Sequence, residues 1–119
     1  MLFRSAATNS AGILHLEHYT DSYTSSGHLY ITRIPGITHE ERCDIITDMA
    51  LRGIACNVHY KPLPMMTAYK ALGWDIKDFP NAYAFYENEI TLPLYTRLTD
   101  EDTDYIIDNY IEAAGKYIK

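Results

Sequence analysis

The sequence Gly53-Ile54-Ala55-Cys56-Asn57-Val58-His59-Tyr60-Lys61-Pro62-Leu63-Pro64 separates a helix, a strand and a loop within twelve positions. Gly53 follows an amphipathic pattern, at the point where a left-handed helix cap is expected. The short apolar run 54–58 predicts a buried strand. Pro62 and Pro64 each fix φ and remove a backbone donor, so we expect the strand to end in a stiff loop.

This loop carries four different polar groups: the carboxamide of Asn57, the imidazole of His59, the phenol of Tyr60 and the ammonium of Lys61. Such a mixture on a stiffened loop is typical of a binding or catalytic site. The alternative is an exposed polar loop without a function. Lys61 could form a Schiff base if it were desolvated, but its position beside Pro62 predicts an exposed amine.

The segments before this stretch predict one strand and one helix. Residues 28–34 alternate as a β-rich strand, which Pro35-Gly36 stops. Thr38 and Glu41 have the spacing of a capping box and begin a helix that should run to about Arg52. The expected apolar stripe of this helix consists of Ile45, Ile46, Met49 and Ala50.

The segments after the loop predict three helices and a strand. A short helix is expected over 65–72, and a second begins at Asp78-Phe79-Pro80-Asn81. Residues 90–94 alternate as a strand, and Pro93 predicts that it lies at a sheet edge or ends there. Thr99-Asp100-Glu101-Asp102 is an acidic cap for the last helix. The order of elements predicts an α+β fold, a small sheet with helices mainly on one face.

Length and charge limit the classes of function. A chain of 119 residues is one domain, and its ten basic against sixteen acidic residues give a net charge of −6. With no basic run, neither nucleic acid nor a membrane surface is an expected partner. No apolar run approaches the roughly 20 residues of a transmembrane helix. We expect no signal peptide, because polar residues interrupt the N-terminal segment before an apolar region forms.

The histidine and cysteine spacings give little support to a metal site or a disulfide. His15 and His18 have i, i+3 spacing, but no third ligand is indicated nearby, so we predict no metal site. Cys43 and Cys56 lie in apolar contexts and do not form a close pair. We therefore predict buried free thiols in a reducing cytoplasm.

Six segments in a fixed order resemble one family. They are Gly27–Ile34, Arg52–Leu63, Tyr69-Lys70-Ala71-Leu72-Gly73, Phe79-Pro80-Asn81-Ala82, Ile90-Thr91-Leu92-Pro93-Leu94-Tyr95 and Leu98-Thr99-Asp100-Glu101-Asp102. This series resembles the C-terminal small domain of the DegT/DnrJ/StrS-type sugar aminotransferases, which are fold type I, pyridoxal-phosphate enzymes. The resemblance covers residues 22–119, after a weakly patterned lead-in of residues 1–21. It implies a largely antiparallel sheet.

The resemblance also implies a function. The full-length enzyme would use pyridoxal phosphate to transfer an amino group, typically from glutamate, to a nucleotide-linked keto sugar in cell-surface or secondary-metabolite sugar biosynthesis. It would be a cytoplasmic homodimer or another self-associating protein. Asn57, His59, Tyr60 and Lys61 would line the substrate cleft and bind sugar hydroxyls or anionic groups, without a catalytic role.

Two departures from the family pattern matter. Pro64 stands where the family usually has a second histidine. The large domain, which in the family holds the cofactor-binding lysine and the phosphate-binding loop, is missing from this sequence. We therefore expect a fragment that binds no cofactor alone and whose own enzymatic activity is uncertain. The alternative is a free-standing α+β module that binds a ligand or another protein without catalysis.

Overall fold

The computed structural model describes residues 5–119, which form a three-stranded antiparallel sheet and five α-helices. The elements in chain order are α1 (Ser5–Ser10), β1 (Leu14–His15), β2 (Tyr30–Arg33), α2 (His39–Leu51), α3 (Thr67–Lys70), α4 (Pro80–Glu87), β3 (Glu89–Leu92) and α5 (Asp100–Gly115). Single turns of 3-10 helix occur at Leu63–Met65 and Ile76–Asp78. The predicted α+β class and antiparallel sheet are confirmed.

The sheet has the order β1-β2-β3. In the register of β2 against β3, Tyr30 lies opposite Leu92 and Arg33 lies opposite Glu89. The strand predicted over 28–34 is therefore present but shorter. The strand predicted over 90–94 ends before Pro93, as expected for a residue that cannot donate to the ladder.

The strand predicted over 54–58 is wrong. The amide of Ile54 bonds to the carbonyl of Met49, and the amide of Gly53 bonds to the carbonyl of Ala50. These are the two hydrogen bonds of a Schellman motif, in which Gly53 has a φ of 77°. The first two amides of the segment therefore bond to the end of α2 and not to a strand. The segment then makes one isolated β-bridge, between Asn57 and Thr91, along the outer edge of β3.

Helices α2 and α5 begin as their sequences predict. Both have capping boxes, Thr38 with Glu41 and Thr99 with Asp102. The predicted stripe of α2 needs correction, because Ala50 is exposed whereas Arg42 is buried. The helix expected over 65–72 is confined to α3 and a 3-10 turn, and Met66 between them is extended.

The hydrophobic core lies between the sheet and helices α2 and α5. Its buried members are Ile13, Tyr30, Ile34, Ile37, Ile45, Met49, Ile54, Ile90, Leu92, Ile106, Ile107, Tyr110, Ala113 and Ala114. The Tyr110 hydroxyl bonds to Thr32 Oγ1 at 2.7 Å, and Thr32 Oγ1 donates to the carbonyl of Ile90. Burial raises the pKa of Tyr110. This pairing satisfies the polar groups where α5 crosses the sheet.

The segment predicted as a lead-in contributes structure from residue 5 onward, and its first four residues lie outside the described residues. Within it, α1 precedes β1, which pairs with β2. Ile13 is fully buried in the core, and Thr8 is also buried. The boundary at residue 22 stays a prediction about the extent of the domain.

Candidate functional site

The polar loop is held against the outer edge of β3 by its first residue. The amide of Asn57 donates to the carbonyl of Thr91 at 3.0 Å, and the amide of Thr91 donates back at 2.8 Å. The Asn57 side-chain oxygen accepts from the amide of Val58 at 2.8 Å. Asn57 is exposed. Its backbone therefore anchors the loop.

His59 is fixed through both its backbone and its ring. Its amide donates to Glu89 Oε2 at 3.0 Å, and its Nδ1 lies 2.9 Å from Thr91 Oγ1. Thr91 Oγ1 in turn donates to Glu89 Oε1. His59 is half-buried, whereas Glu89 and Thr91 are buried. The imidazole is thus the outermost group of a short polar chain that begins inside the protein.

Glu89 is a fully buried carboxylate. Burial raises its pKa, while the hydrogen bonds from Thr91 and from the backbone of His59 act in the opposite direction. The positive charge of Arg42 also lowers that pKa. Buried carboxylates need such compensation, because an ionised group without partners is strongly destabilising in an apolar interior.

Arg42 is buried with only part of its guanidinium satisfied. Its Nη1 donates to the carbonyl of Tyr86 at 2.9 Å, and its Cζ lies 4.5 Å from the centre of the Tyr86 ring. Its Nε has no hydrogen-bond partner among the described residues. Its positive charge lowers the pKa of Glu89, but less than the hydrogen bonds from Thr91 and His59 do.

Tyr60 and Lys61 project from the loop into solvent. The Tyr60 ring is 70% exposed and meets the His59 ring edge-on, with 4.6 Å between the centroids. The peptide bond between His59 and Tyr60 is cis. Lys61 is also exposed. Two exposed residues therefore stand beside one fixed imidazole.

The prolines of the loop line an open apolar groove of about 370 Å³. Its lining residues are Pro62, Leu63, Pro64, Tyr69, Trp74, Phe79 and Ala82. Pro64 is thus part of an apolar wall next to the polar loop. The arrangement offers hydrogen-bonding groups on one side and flat apolar surface on the other.

The four predicted residues are already near neighbours in the sequence, and their role in a cleft stays a prediction. The structure adds three buried residues that the sequence did not predict. Glu89 and Thr91 hold the loop through hydrogen bonds, and the charge of Arg42 acts on Glu89. A signal existed for two of them. Glu89 directly precedes an apolar strand run, and Arg42 shares the helix face of Ile45. A charged residue at such a position is rarely buried without a partner.

The histidines predicted not to bind a metal have other contacts. His18 Nδ1 lies 2.9 Å from Ser25 Oγ, and His15 Nδ1 lies 3.1 Å from Asn9 Oδ1. Both rings stack on Tyr30, with centroid distances of 5.6 and 6.2 Å. In residues 5–119, no three histidine, cysteine or acidic side chains come close enough together to hold a metal ion.

The cysteines are free thiols, but the prediction that both are buried is wrong. Cys43 is exposed on α2, because the helix turns that position away from the core. Cys56 is half-buried, and burial raises its pKa to about 12.

None of the helices in the described part of the chain is long and apolar enough to cross a membrane.

Comparison with known proteins identifies the class to which this fold and loop belong. The model of the DegT/DnrJ/EryC1/StrS aminotransferase family matches residues 3–110. The chain therefore belongs to the DegT/DnrJ/EryC1/StrS aminotransferase family, whose members depend on pyridoxal phosphate.

Individual relatives agree with this assignment. Spr1654 of Streptococcus pneumoniae, a provisionally assigned sugar aminotransferase solved in its PMP form, is 53% identical, with a TM-score of 0.91 over 94% of this chain and 28% of that one. The spore coat polysaccharide biosynthesis protein SpsC of Bacillus subtilis is 33% identical over 86 residues, which is 68% of this chain and 22% of SpsC.

A more distant structure shows the fold alone. Helicobacter pylori PseC, an aminotransferase involved in the biosynthesis of pseudoaminic acid, is 23% identical, with a TM-score of 0.76 over 95% of this chain and 31% of PseC. The chain thus spans between about a fifth and a third of the length of these relatives.

The described residues do not fit the role of a pyridoxal phosphate anchor. The lysines are all exposed, and Lys116 pairs with Asp48 at 2.7 Å. An internal aldimine needs an unprotonated lysine, which an exposed ammonium does not supply. The N-termini of α2 and α5 are closed by their own carboxylates, Glu41 and Asp102, which would repel a phosphate.

Proposed function

We propose that the chain is the C-terminal small domain, residues 22–119, of an aminotransferase that transfers an amino group from glutamate to a nucleotide-linked keto sugar. The family match over residues 3–110 carries this proposal. Two Campylobacter jejuni relatives support the substrate class. Both are named UDP-4-amino-4,6-dideoxy-N-acetyl-beta-L-altrosamine transaminase and are 28% and 27% identical over 99 residues. The product would enter cell-surface or secondary-metabolite sugar biosynthesis.

In this proposal the polar loop binds the substrate. Asn57, His59, Tyr60 and Lys61 line one side of the cleft, which a large domain and its cofactor complete. Their chemistry suits the parts of a nucleotide-linked sugar. The amide and imidazole can bond to hydroxyls, the exposed Tyr60 ring can pack on a sugar or base, and Lys61 can pair with the diphosphate.

The setting of the proposed enzyme is a cytoplasmic homodimer. Its large domain would supply the lysine, the group facing the pyridine nitrogen and the phosphate cradle. The cofactor, when bound there, provides the electron sink for amino transfer. The small domain would orient the sugar and exclude water from one side.

The decisive experiment begins with the polypeptide that the cell makes. Its mass, measured after immunoprecipitation, should be several times that of this chain, and the purified protein should absorb as a pyridoxal phosphate aldimine. It should form 2-oxoglutarate from glutamate when a UDP-linked keto sugar is present. A native polypeptide of 119 residues with neither property would instead favour the free-standing binding module.

The cleft residues are tested in that polypeptide by steady-state kinetics. Lys61→Ala should raise KM for the nucleotide-linked sugar about tenfold with a smaller effect on kcat, because it removes a ground-state contact. Lys70→Ala is the matched control, since Lys70 is also exposed but lies on α3. An unchanged KM for Lys61→Ala would contradict its place in the cleft.

A further prediction separates this chain from the complete enzyme. Alone, it should neither form an aldimine with pyridoxal phosphate nor transaminate. Borohydride trapping followed by peptide mapping should find no stoichiometric adduct. A stoichiometric adduct on Lys61 would contradict the fragment assignment and make this domain a cofactor-binding unit.

A further inference from the structure

We infer that Glu89 and Thr91 are positioning residues that hold His59 in the tautomer with its proton on Nδ1, so that Nε2 presents a lone pair to the cleft. The inference concerns which atom of the ligand His59 can bind. It deepens the proposed function and rests on it only for the arrival of a ligand at the loop.

The first step is the proton count along the chain of side chains. The Thr91 hydroxyl has one proton, and it donates that proton to Glu89 Oε1. The bond between Thr91 Oγ1 and His59 Nδ1, at 2.9 Å, therefore needs its proton from the imidazole. A neutral His59 consequently carries its proton on Nδ1 and none on Nε2.

The second step is the direction in which Glu89 is fixed. Its Oε2 accepts the backbone amide of His59 at 3.0 Å, and this donor cannot reverse its role. Oε1 faces Thr91. Burial raises the pKa of Glu89, whereas the hydrogen bonds from Thr91 and from the His59 amide, and then the charge of Arg42, lower it. The ionised carboxylate can only accept hydrogen bonds. Both oxygens of Glu89 thus act as acceptors, and the polarity of the whole chain follows from them.

The third step is the consequence at the surface. The half-buried ring makes its hydrogen bond through Nδ1, and among the described residues Nε2 has no hydrogen-bond partner. A bare Nε2 accepts a bond from a hydroxyl or an N–H group, and it repels a phosphate oxygen. In the proposed cleft His59 would therefore select a sugar hydroxyl, while the neighbouring Lys61 takes the anionic groups.

The tautomer can be measured by NMR on the 119-residue chain without any ligand. Long-range proton–nitrogen correlation of the imidazole, above the ordinary imidazole pKa of about 6.5, distinguishes a protonated nitrogen from a bare one. We expect a protonated Nδ1 and a bare Nε2 in the unmodified chain. A bare Nδ1 would overturn the inference directly.

The strongest variant is Glu89→Gln, which keeps the shape and changes the polarity. The backbone amide of His59 still requires an acceptor, so the oxygen of the new carboxamide takes that place and its NH2 group faces Thr91. Thr91 then accepts from this NH2 group and donates its own proton to His59 Nδ1. The two nitrogen signals of His59 should therefore exchange their character, with the proton now on Nε2.

A second pair of variants keeps the test decisive if Glu89→Gln does not fold. Thr91→Val removes the hydroxyl and should populate the Nε2-protonated tautomer, whereas Thr91→Ser should restore the original spectrum. Thr32→Val is the matched control, because Thr32 is equally buried but bonds to Ile90 and Tyr110. If Thr91→Val leaves the tautomer unchanged, or if Thr32→Val alters it equally, the inference is wrong.

This measurement separates the inference from the proposed function. A tautomer as expected in a chain whose native form is no aminotransferase would leave the positioning role intact and remove the sugar as its ligand. The opposite tautomer in an active enzyme would leave the function intact and remove the positioning role.

Discussion

The sheet–helix core, formed by β2, β3, α2 and α5, contrasts with the insertion of residues 65–79 between the polar loop and α4. In the core, Leu92 is 2% exposed and the side chains of β3 are buried along the whole strand. In the insertion no residue is buried, and Leu72 and Trp74 are 74% and 51% exposed. The core is thus closed by its own contacts, whereas the insertion presents apolar surface to solvent.

The first prediction measures this difference with one type of substitution. Leu92→Ala should lower the free energy of unfolding by about 2–5 kcal/mol, because it leaves a cavity in a closed core. Leu72→Ala should change it by no more than about 0.5 kcal/mol, because that side chain is already exposed. Urea unfolding followed by circular dichroism measures both. Equal losses would show that the insertion is as tightly packed as the core.

The second prediction concerns what the exposed apolar side chains do in solution. The chain should self-associate at high concentration, as seen by sedimentation velocity, since association removes exposed apolar area from water. Trp74→Ser should raise the dissociation constant about tenfold, equivalent to about 1.4 kcal/mol.

The control for this prediction is Leu51→Ser, because Leu51 is 84% exposed but lies on α2, outside the insertion. It should leave association unchanged. A strict monomer at high concentration would contradict the predicted self-association. Equal effects of the two substitutions would show that association does not depend on the insertion in particular.

The two regions also differ in how far their sequences predict them. Both capping boxes are predictable, because Thr38 with Glu41 and Thr99 with Asp102 act over three residues. The edge of β3 is not, because the contact of Glu89 with the amide of His59 joins residues thirty positions apart. Local pattern does not contain such a contact. The wrong strand at residues 54–58 has a different cause, because the amide of Ile54 bonds back to the carbonyl of Met49 in α2.

The candidate site shows the same limit. Its exposed members are identified by chemical variety and the two prolines, which are features of one segment. The groups that orient them, Glu89 and Thr91, come from a strand elsewhere in the chain. The burial of both Arg42 and Glu89 is visible only in the three-dimensional structure. In the sequence, each residue stands next to apolar positions, which is a signal that a charged side chain is buried there.

The third prediction concerns the salt bridges at the surface that join two helices of the core region, α2 and α5. Arg52 Nη1 contacts Glu112 Oε2 at 2.9 Å, and Asp48 contacts both Arg52 and Lys116. Hydrogen bonds from Arg52 and then Lys116 lower the pKa of Asp48 from 3.8 to about 2. Because the folded pKa is the lower one, this stabilisation is present above pH 3.8 and disappears as the pH falls towards 2.

Asp48→Asn should therefore reduce the steepness of acid unfolding between those two pH values, and the effect should weaken in high salt. Urea midpoints measured across this range provide the test. Asp108→Asn is the control, since Asp108 is exposed on α5 and, among the described residues, has no ion pair. If the urea midpoints of both variants depend on pH in the same way, the salt bridges of Asp48 do not stabilise the packing of α2 on α5.

The smallest expected effect lies at the border of the two regions, where Cys56 precedes the polar loop. Burial raises the pKa of this thiol to about 12, whereas Cys43 is exposed on α2. The thiolate is the nucleophile in alkylation, so iodoacetamide at about pH 8 should modify Cys43 well before Cys56. Peptide mass mapping over time gives the two rates, and both should become equal in denaturant. Equal rates in the native chain would mean that the chain around Cys56 opens readily. The closed core would then end before Cys56, and the loop that follows would not hold His59 in a fixed orientation.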